Sequence, residues 1–274
     1  MFPMQKILIQ GELGSFHHEA AMKLFGPDIE ITPCASFHAV FSEVDDHNLG
    51  LVAIENSLYG SINEVYDLLE KSDAEIFAET ELSIHQNLIA LPGATMADIK
   101  EVYSHPVALA QCENYLADQL PSAEKVEYED TAAAVRHIVE QNNPSLAAIA
   151  SRAAAELYQT QLLAKQIEDN PVNFTRFVAL SKTAEIHRHL VRQAPAGKVS
   201  IILTTNHQPG ALYEALGIFV LHQVNLTKLQ SRPVIGEKWR YRFYLDLETT
   251  HEQVKEIIAD LELIGNDVVL LGTY

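Results

Sequence analysis

The feature that most restricts this chain is a unit that recurs along it: a short apolar run, a polar turn carrying Gly, Ser, Asn or Asp, and then apolar residues at helical spacing. Ile7-Leu8-Ile9 leads through Gly11-Glu12-Leu13-Gly14 to Ser15 and a helix with Ala20, Ala21, Leu24 and Phe25 on one side. Leu51-Val52-Ala53-Ile54 leads through Glu55-Asn56-Ser57 and Leu58-Tyr59-Gly60-Ser61 to a helix through Ile62, Val65, Leu68 and Leu69. Val102-Tyr103 leads through Ser104-His105-Pro106 to one helix carrying Leu109, Cys112, Leu116 and Leu120 inward. Residues 125–129 lead through Asp130-Thr131 to a helix over 132–139, and 146–150 lead through Ser151 to a helix over 152–158. Strands covered on both faces read as continuous apolar runs, whereas the helices that cover them read at period 3.6. The alternation therefore predicts an α/β fold with a mostly parallel sheet. Ser36 caps a further helix through Phe37, Val40, Phe41 and Val44, and extended segments lie at 76–78, 88–91 and 162–164.

After Ser181 the pattern changes. Residues 184–197 mix charge with Pro195-Ala196-Gly197 and read as a linker between a first domain, 1–183, and a second, 198–274. The second domain reads as strand 199–203, a helix opened by Pro209-Gly210 with Leu212, Leu216, Phe219 and Val220 inward, strands 226–229 and 241–247, a helix with Val254, Ile257, Ile258 and Leu261 inward, and strand 268–271. That order, βαββαβ, is ferredoxin-like, and small domains of this kind commonly pair, so an oligomer is expected.

Polar residues just beyond an apolar strand occupy the usual ligand position of open α/β sheets, which singles out Glu55, Asn56 and Ser57. Ser15, Ser57 or Ser61, Ser104, Thr131 and Ser151 recur at strand-to-helix junctions, where helix N-termini favour anions. The formal charge of −18 excludes a basic nucleic-acid footprint and disfavours an anionic membrane surface, so an anionic ligand would be held by such local devices. The stretch Asn173-Phe174-Thr175-Arg176-Phe177 places a hydroxyl and a guanidinium between two aromatic rings, which suits a substrate that carries carboxylates and loses an oxygen.

Cys34 and Cys112 are far apart and fit neither a disulfide framework nor a zinc site, and Cys112 reads as an inert core thiol rather than a partner for His105. His17-His18 and His187 with His189 lack a matching carboxylate cluster, so no metal is expected. No apolar run approaches the ~20 residues of a membrane span and no signal peptide is recognisable, so a cytoplasmic protein is expected.

Across the whole chain and in order, the motifs resemble those of monofunctional prephenate dehydratases with a C-terminal ACT regulatory domain. They are Gly14-Ser15-Phe16, Ile54-Glu55-Asn56-Ser57 with Gly60, Ser104-His105-Pro106 with Gln111-Cys112, Asp130-Thr131-Ala132-Ala133-Ala134, Ala148-Ile149-Ala150-Ser151 and Asn173 with Thr175-Arg176-Phe177. In the second domain they are Gly210-Ala211-Leu212 and Ser231-Arg232-Pro233. The resemblance implies two α/β lobes similar to a periplasmic binding protein, with prephenate between them, and chain crossings near Leu82 and the Asn173 loop. It implies a cofactor-free elimination in which prephenate loses CO2 and its ring hydroxyl to give phenylpyruvate. Thr175 would help the hydroxyl leave, with Asn56 or Gln111 sharing the load. Glu55, Ser57, Ser104, Glu129, Arg176 and Phe177 would bind substrate, with Arg176 on a carboxylate. Gly210, Ala211, Leu212, Gln230, Ser231, Arg232 and Pro233 would form an effector site for L-phenylalanine in a homodimer or homotetramer joined through the ACT domains.

Three positions depart from the family pattern. His17 stands where a hydroxyl residue is common, Val107 where Gln is frequent, and Gln230 where the effector motif usually has Glu. Arogenate, which bears an amino group in place of the keto oxygen of prephenate, remains open as substrate. A ligand sensor without chemistry is the other alternative.

Overall fold

The structure, a computed structural model, describes residues 5–192, 197–234, 236–237 and 240–274. Its contacts divide the chain into two compact units, Met1–Val65 with Thr80–Val178 and Tyr66–Glu79 with Ala179–Tyr274.

The elements run β1 (Gln5–Gln10), α1 (Phe16–Phe25), β2 (Ile29–Cys34), α2 (Phe37–Glu43), β3 (Asn48–Asn56), β4 (Gly60–Ser61), α3 (Asn63–Lys71), β5 (Glu75–Ser83), β6 (Asn87–Ala90), β7 (Glu101–Ser104), α4 (Pro106–Gln111), α5 (Glu113–Gln119), β8 (Glu124–Glu127), α6 (Thr131–Gln141), β9 (Leu146–Ala150), α7 (Arg152–Leu157), β10 (Gln161–Ala164) and β11 (Phe174–Ser181). They continue with α8 (Ala184–His187), β12 (Lys198–Thr204), α9 (Ala211–Leu221), β13 (Asn225–Pro233), β14 (Tyr241–Glu248), α10 (His251–Leu263) and β15 (Asp267–Thr273). The chain is thus mixed α/β, as the alternation predicts.

In the first unit β1 pairs in parallel with β2 on one side and β3 on the other, and β11 lies beyond β3. The apolar pattern does not announce β2: it is the edge strand, half exposed along its length, with Pro33 tolerated there. A second sheet has the order β10-β6-β9-β7-β8, parallel across β9-β7-β8 and antiparallel across β10-β6-β9. Leu88, Val102, Ala147 and Ile149 face Leu109, Cys112 and Leu116, while Ile89, Ala148 and Ala150 face Val135, Ile138 and Ala154. Both faces are covered, which explains why these strands lack polar alternation. The single helix expected over 106–120 is two. Cys112 leaves helical geometry (φ −116, ψ 20), yet α4 and α5 keep one apolar stripe on the same core, so the break leaves no trace in the spacing.

In the second unit the strand order is β13-β14-β12-β15, antiparallel throughout, with Ala215 and Phe219 of α9 and Val254, Ile257 and Leu261 of α10 packed on one face. The βαββαβ order of 198–274 is therefore present in the element sequence. Val220, expected inward, is 74% exposed. α9 is apolar almost all round, and its small Ala211 and Ala215, with Phe219, take the sheet-facing stripe. β15 also pairs with β5 through Gly272 and Ile76; any Cβ at Gly272 would run into the Ile76 backbone, so glycine is required there. Within the expected linker, Ala184–His187 is a helical turn followed by a 3-10 turn at Arg188–Leu190, and residues 193–196 lie outside the described residues.

Candidate active site

A cavity of about 370 Å³ opens in the first unit, lined from several strand-to-helix junctions. β11 supplies Thr175 and Phe177, two residues apart on one strand face, and Phe177 is buried. β3 ends in Asn56, and the turn after it brings Tyr59, Gly60, Ser61 and Ile62. The start of α1 supplies Ser15, Phe16 and His17; α4 supplies Val107, Ala108 and Gln111; the start of α6 supplies Glu129, Asp130 and Thr131.

The Asn56 side chain is the keystone of the Thr175 wall. Its amide nitrogen lies 2.8 Å from Asn173 Oδ1, 3.1 Å from the Phe174 carbonyl and 3.0 Å from Thr175 Oγ1. Its oxygen accepts from the Leu58 and Tyr59 amides at 2.9 and 3.1 Å. A hydroxyl has one hydrogen to give. With Thr175 Oγ1 accepting from Asn56, that hydrogen remains for whatever occupies the cavity.

Opposite, Gln86 Nε2 donates to Gln111 Oε1 at 3.0 Å, and Gln86 Oε1 is buried with no partner among the described residues. This pairing leaves the Gln111 amide N–H groups as donors. Gln86 itself is fixed by its backbone N–H to Glu168 Oε2 at 2.9 Å. His17 packs edge-on against Phe177 (5.1 Å between centroids) and beside Phe37 (5.8 Å), and its Nε2 accepts from the Ala53 amide at 3.2 Å. Burial lowers its pKa to about 4, which keeps the ring neutral.

Among the described residues, Lys and Arg are absent from the lining, and its carboxylates are Glu129 and Asp130. Burial raises the Asp130 carboxyl pKa, partly offset by the Ala133 and Ala132 amides it caps. The groups at the cavity that favour an anion are the N-termini of α1, capped by Ser15, and α6, capped by Asp130. Gly14, at φ +86, lets the turn before α1 close on α7: a Cβ there would sit 2.9 Å from Ala154 Cα, and Ser151 Oγ donates to the Gly14 carbonyl at 2.6 Å.

The structure separates the remaining expected residues into groups. Thr175, Asn56, Gln111, Glu129 and Phe177 meet in the cavity. Ser104 does not: its hydroxyl is buried and donates to the Ile149 carbonyl at 2.6 Å, and the α4 cap is His105. Ser57 clasps the loop before β11, accepting from the Phe174 amide at 3.0 Å. Arg176 follows Thr175 on the strand and so turns to the other face, where its guanidinium lies 3.8 Å from Glu55. Of the hydroxyls expected at junctions, Ser15, Ser61 and Thr131 line the cavity, while Ser151 caps α7 away from it. Gln86 was not legible, since one polar residue before an apolar strand carries no signal. Cys112 is fully buried and its thiol pKa is pushed up by burial, as an inert core residue requires.

In the second unit, Gly210, Ala211 and Leu212 line a separate cavity of about 310 Å³ with Asn206, His207, Arg240 and Phe243. Gln230, Ser231, Arg232 and Pro233 lie in β13 outside it, and Arg232 makes a two-pronged pair with Asp67 (2.5 and 3.2 Å). Among the described residues no group of His, Cys, Asp and Glu is placed to hold a metal ion, and no helix is long and apolar enough to cross a membrane.

A family model described as prephenate dehydratase matches residues 7–185. A prephenate dehydratase of Methanocaldococcus jannaschii is 38% identical over 266 residues, covering 95% of this chain and 94% of the relative. The arogenate dehydratase/prephenate dehydratase 2 of Arabidopsis thaliana is 35% identical, covering 98% of this chain and 72% of the relative. Among solved structures, GqqA, described as a novel type of quorum-quenching acylase, superposes with a TM-score of 0.84 at 29% identity, covering 98% and 97% of the two chains. The Arthrobacter aurescens prephenate dehydratase in complex with L-Phe does so with a TM-score of 0.81 at 27% identity, covering 98% and 90%.

Proposed function

Because the chain belongs to the prephenate dehydratase family, we propose that it converts prephenate to phenylpyruvate in phenylalanine biosynthesis without a cofactor. The bond from the ring to its carboxylate breaks and releases CO2. The electron pair enters the ring as it becomes aromatic, and the carbon–oxygen bond at the opposite ring carbon breaks. The departing hydroxide takes one proton and leaves as water. Aromatisation supplies the driving force, so the protein has to orient the substrate, exclude water and donate to the oxygen that leaves.

The observation that carries this reading is the Asn56-to-Thr175 hydrogen bond, which turns the one hydrogen of Thr175 toward the cavity. Asn56 then positions the donor, Gln111 offers a second one, and Glu129 and Phe177 shape the pocket. The Arg176–Glu55 pair and Ser57 steady the strands that carry these groups. The substrate's carboxylates meet helix N-termini and neutral donors rather than a cation.

Arogenate stands as the second substrate, favoured by Glu129 and Asp130 in the lining, which would suit an ammonium group. An ultraviolet assay that follows phenylpyruvate from prephenate, run beside phenylalanine formation from arogenate, separates the two. Turnover of neither removes the proposed reaction and leaves a ligand sensor.

The further reading is a catalytic region over 1–183 with two lobes like a periplasmic binding protein, a linker over 184–197, and an ACT regulatory domain over 198–274. In that reading L-phenylalanine binds at a site formed by Gly210, Ala211, Leu212, Gln230, Ser231, Arg232 and Pro233, in a cytoplasmic homodimer or homotetramer joined through the ACT domains. Flat activity in millimolar phenylalanine, together with no heat of binding, would reject the regulatory part.

A further inference from the structure

The donor at Thr175 serves the end of the substrate ring that loses its hydroxyl, and the other end needs a contact as well. We infer that His17 is a catalytic residue whose Nδ1–H donates a hydrogen bond to a carboxylate oxygen at the end of the substrate ring opposite the hydroxyl. The inference rests on the dehydratase reading and adds a residue to it.

Three observations converge on this ring. His17 lines the cavity, and Nε2 is already engaged as the acceptor for the Ala53 amide at 3.2 Å. A neutral imidazole has one acceptor and one donor nitrogen, so its proton is on Nδ1. Its packing against Phe37 and Phe177 fixes the ring plane, and burial keeps it uncharged, with its pKa lowered to about 4. Among the described residues the hydrogen bond of the His17 side chain is the one from Ala53 to Nε2, which leaves Nδ1 without an acceptor, and Lys and Arg are not among the residues that line the cavity beside it.

Position and chemistry agree. Phe177, against which His17 packs, stands two residues from Thr175 on the same strand face, about 6.5 Å away at the usual rise of a strand. His17 and Thr175 thus line the cavity at separate points, as donors to opposite ends of one ring must. A cation at the leaving carboxylate would stabilise the starting charge more than the transition state, in which that charge flows into the ring. A neutral N–H orients the carboxylate with a smaller penalty of that kind.

The test uses two variants of the full chain. Asn places its amide near the Nδ1 position and Gln places its amide near Nε2. H17N therefore keeps the proposed donor and loses the Ala53 contact, and H17Q does the reverse. With prephenate, or arogenate if that is the substrate, kcat/KM of H17Q is expected to fall on the order of 10- to 10²-fold, as for a lost hydrogen bond to a charged group, and that of H17N to fall at least about fivefold less. The opposite order, or two variants both like wild type, overturns the inference, because His17 would then only support the Ala53 amide or do nothing. If both variants lose activity alike, the ¹⁵N ring signals of the wild-type protein decide. A protonated Nδ1 whose shift moves on saturation with a ring-saturated analogue of prephenate, which keeps the ring carboxylate but cannot aromatise, upholds the role, and one that does not move overturns it. Wild-type protein that turns over neither substrate takes down the dehydratase reading and this inference together, whereas wild-type turnover with the reversed order takes down this inference alone.

Discussion

Replacing Asn56 by Asp changes one atom and should remove the catalytic donor without touching Thr175. The new carboxylate keeps an oxygen where Oδ1 accepts from the Leu58 and Tyr59 amides, so the turn after β3 persists. Where Nδ2 donated to Thr175 Oγ1 at 3.0 Å, an acceptor now stands, and the Thr175 hydrogen rotates onto it. The cavity then presents an oxygen lone pair to the leaving hydroxyl. Losing one aimed donor to developing negative charge costs on the order of 10²–10³ in kcat, about 3–4 kcal/mol of barrier. Stability falls too, because the two Asn56 hydrogens shared among Asn173 Oδ1, the Phe174 carbonyl and Thr175 Oγ1 are gone and a negative charge faces the carbonyl oxygens; about 2 kcal/mol follows from two lost hydrogen bonds at roughly 1 kcal/mol each. The measurement is kcat at saturating prephenate, with unfolding monitored in parallel to show that the variant is folded. T175V is the comparator, since it removes the same hydrogen directly. If both changes act through that hydrogen, the N56D/T175V double variant is no slower than the slower single one. A kcat for N56D within about threefold of wild type, well short of the loss of an aimed donor, or losses that multiply in the double variant, would refute the reasoning.

Three other outcomes are expected. S104A should lose about 1–2 kcal/mol of stability by removing the buried hydrogen bond to the Ile149 carbonyl, yet keep its kcat, because the hydroxyl lies outside the cavity; a large fall in kcat at unchanged stability would return Ser104 to the site. Stability should also fall as pH drops from about 6.5 to about 4. Over that range the unfolded His17 takes up a proton that the folded one, with its pKa lowered from 6.5 to about 4, refuses. The contribution is complete above pH 6.5 and amounts to up to about 3 kcal/mol, so denaturant titrations at the two pH values should show a slope that H17Q lacks. Finally, Ser83, His85 and Glu168 are linked at 3.2 and 2.8 Å in the order of nucleophile, base and orienting acid, but the neighbouring Ile84 and Gln86, not Ser83, line the cavity. Intact-mass analysis after fluorophosphonate treatment should show no adduct; an adduct at Ser83 would give this chain of residues an acyl-transfer activity.

Much of the fold could be read from local pattern. β1, β3, β9 and the caps Ser15, Ser36, Asp130 and Ser151 follow from apolar runs and from side chains that bond amides two or three residues ahead. The misses share a cause. β2 is half exposed at a sheet edge, the break at Cys112 keeps one apolar stripe, and Val220 sits on a helix with no polar face to orient it. In each case the local spacing is compatible with two arrangements, and packing against a distant segment chooses one.

The site divides in the same way. The sequence by itself determined that polar residues gather at strand ends and that a hydroxyl, an amide and a guanidinium stand near Thr175, because such chemistry is written in neighbouring positions. Only the tertiary structure decided their duties. The Ser104 hydroxyl meets a carbonyl 45 residues away, Arg176 turns to the strand face opposite Thr175, and Asn56 reaches 119 residues along the chain to set the direction of one hydrogen. Hydrogen-bond direction depends on which atoms lie within about 3 Å, and for residues so far apart that distance is fixed by packing alone.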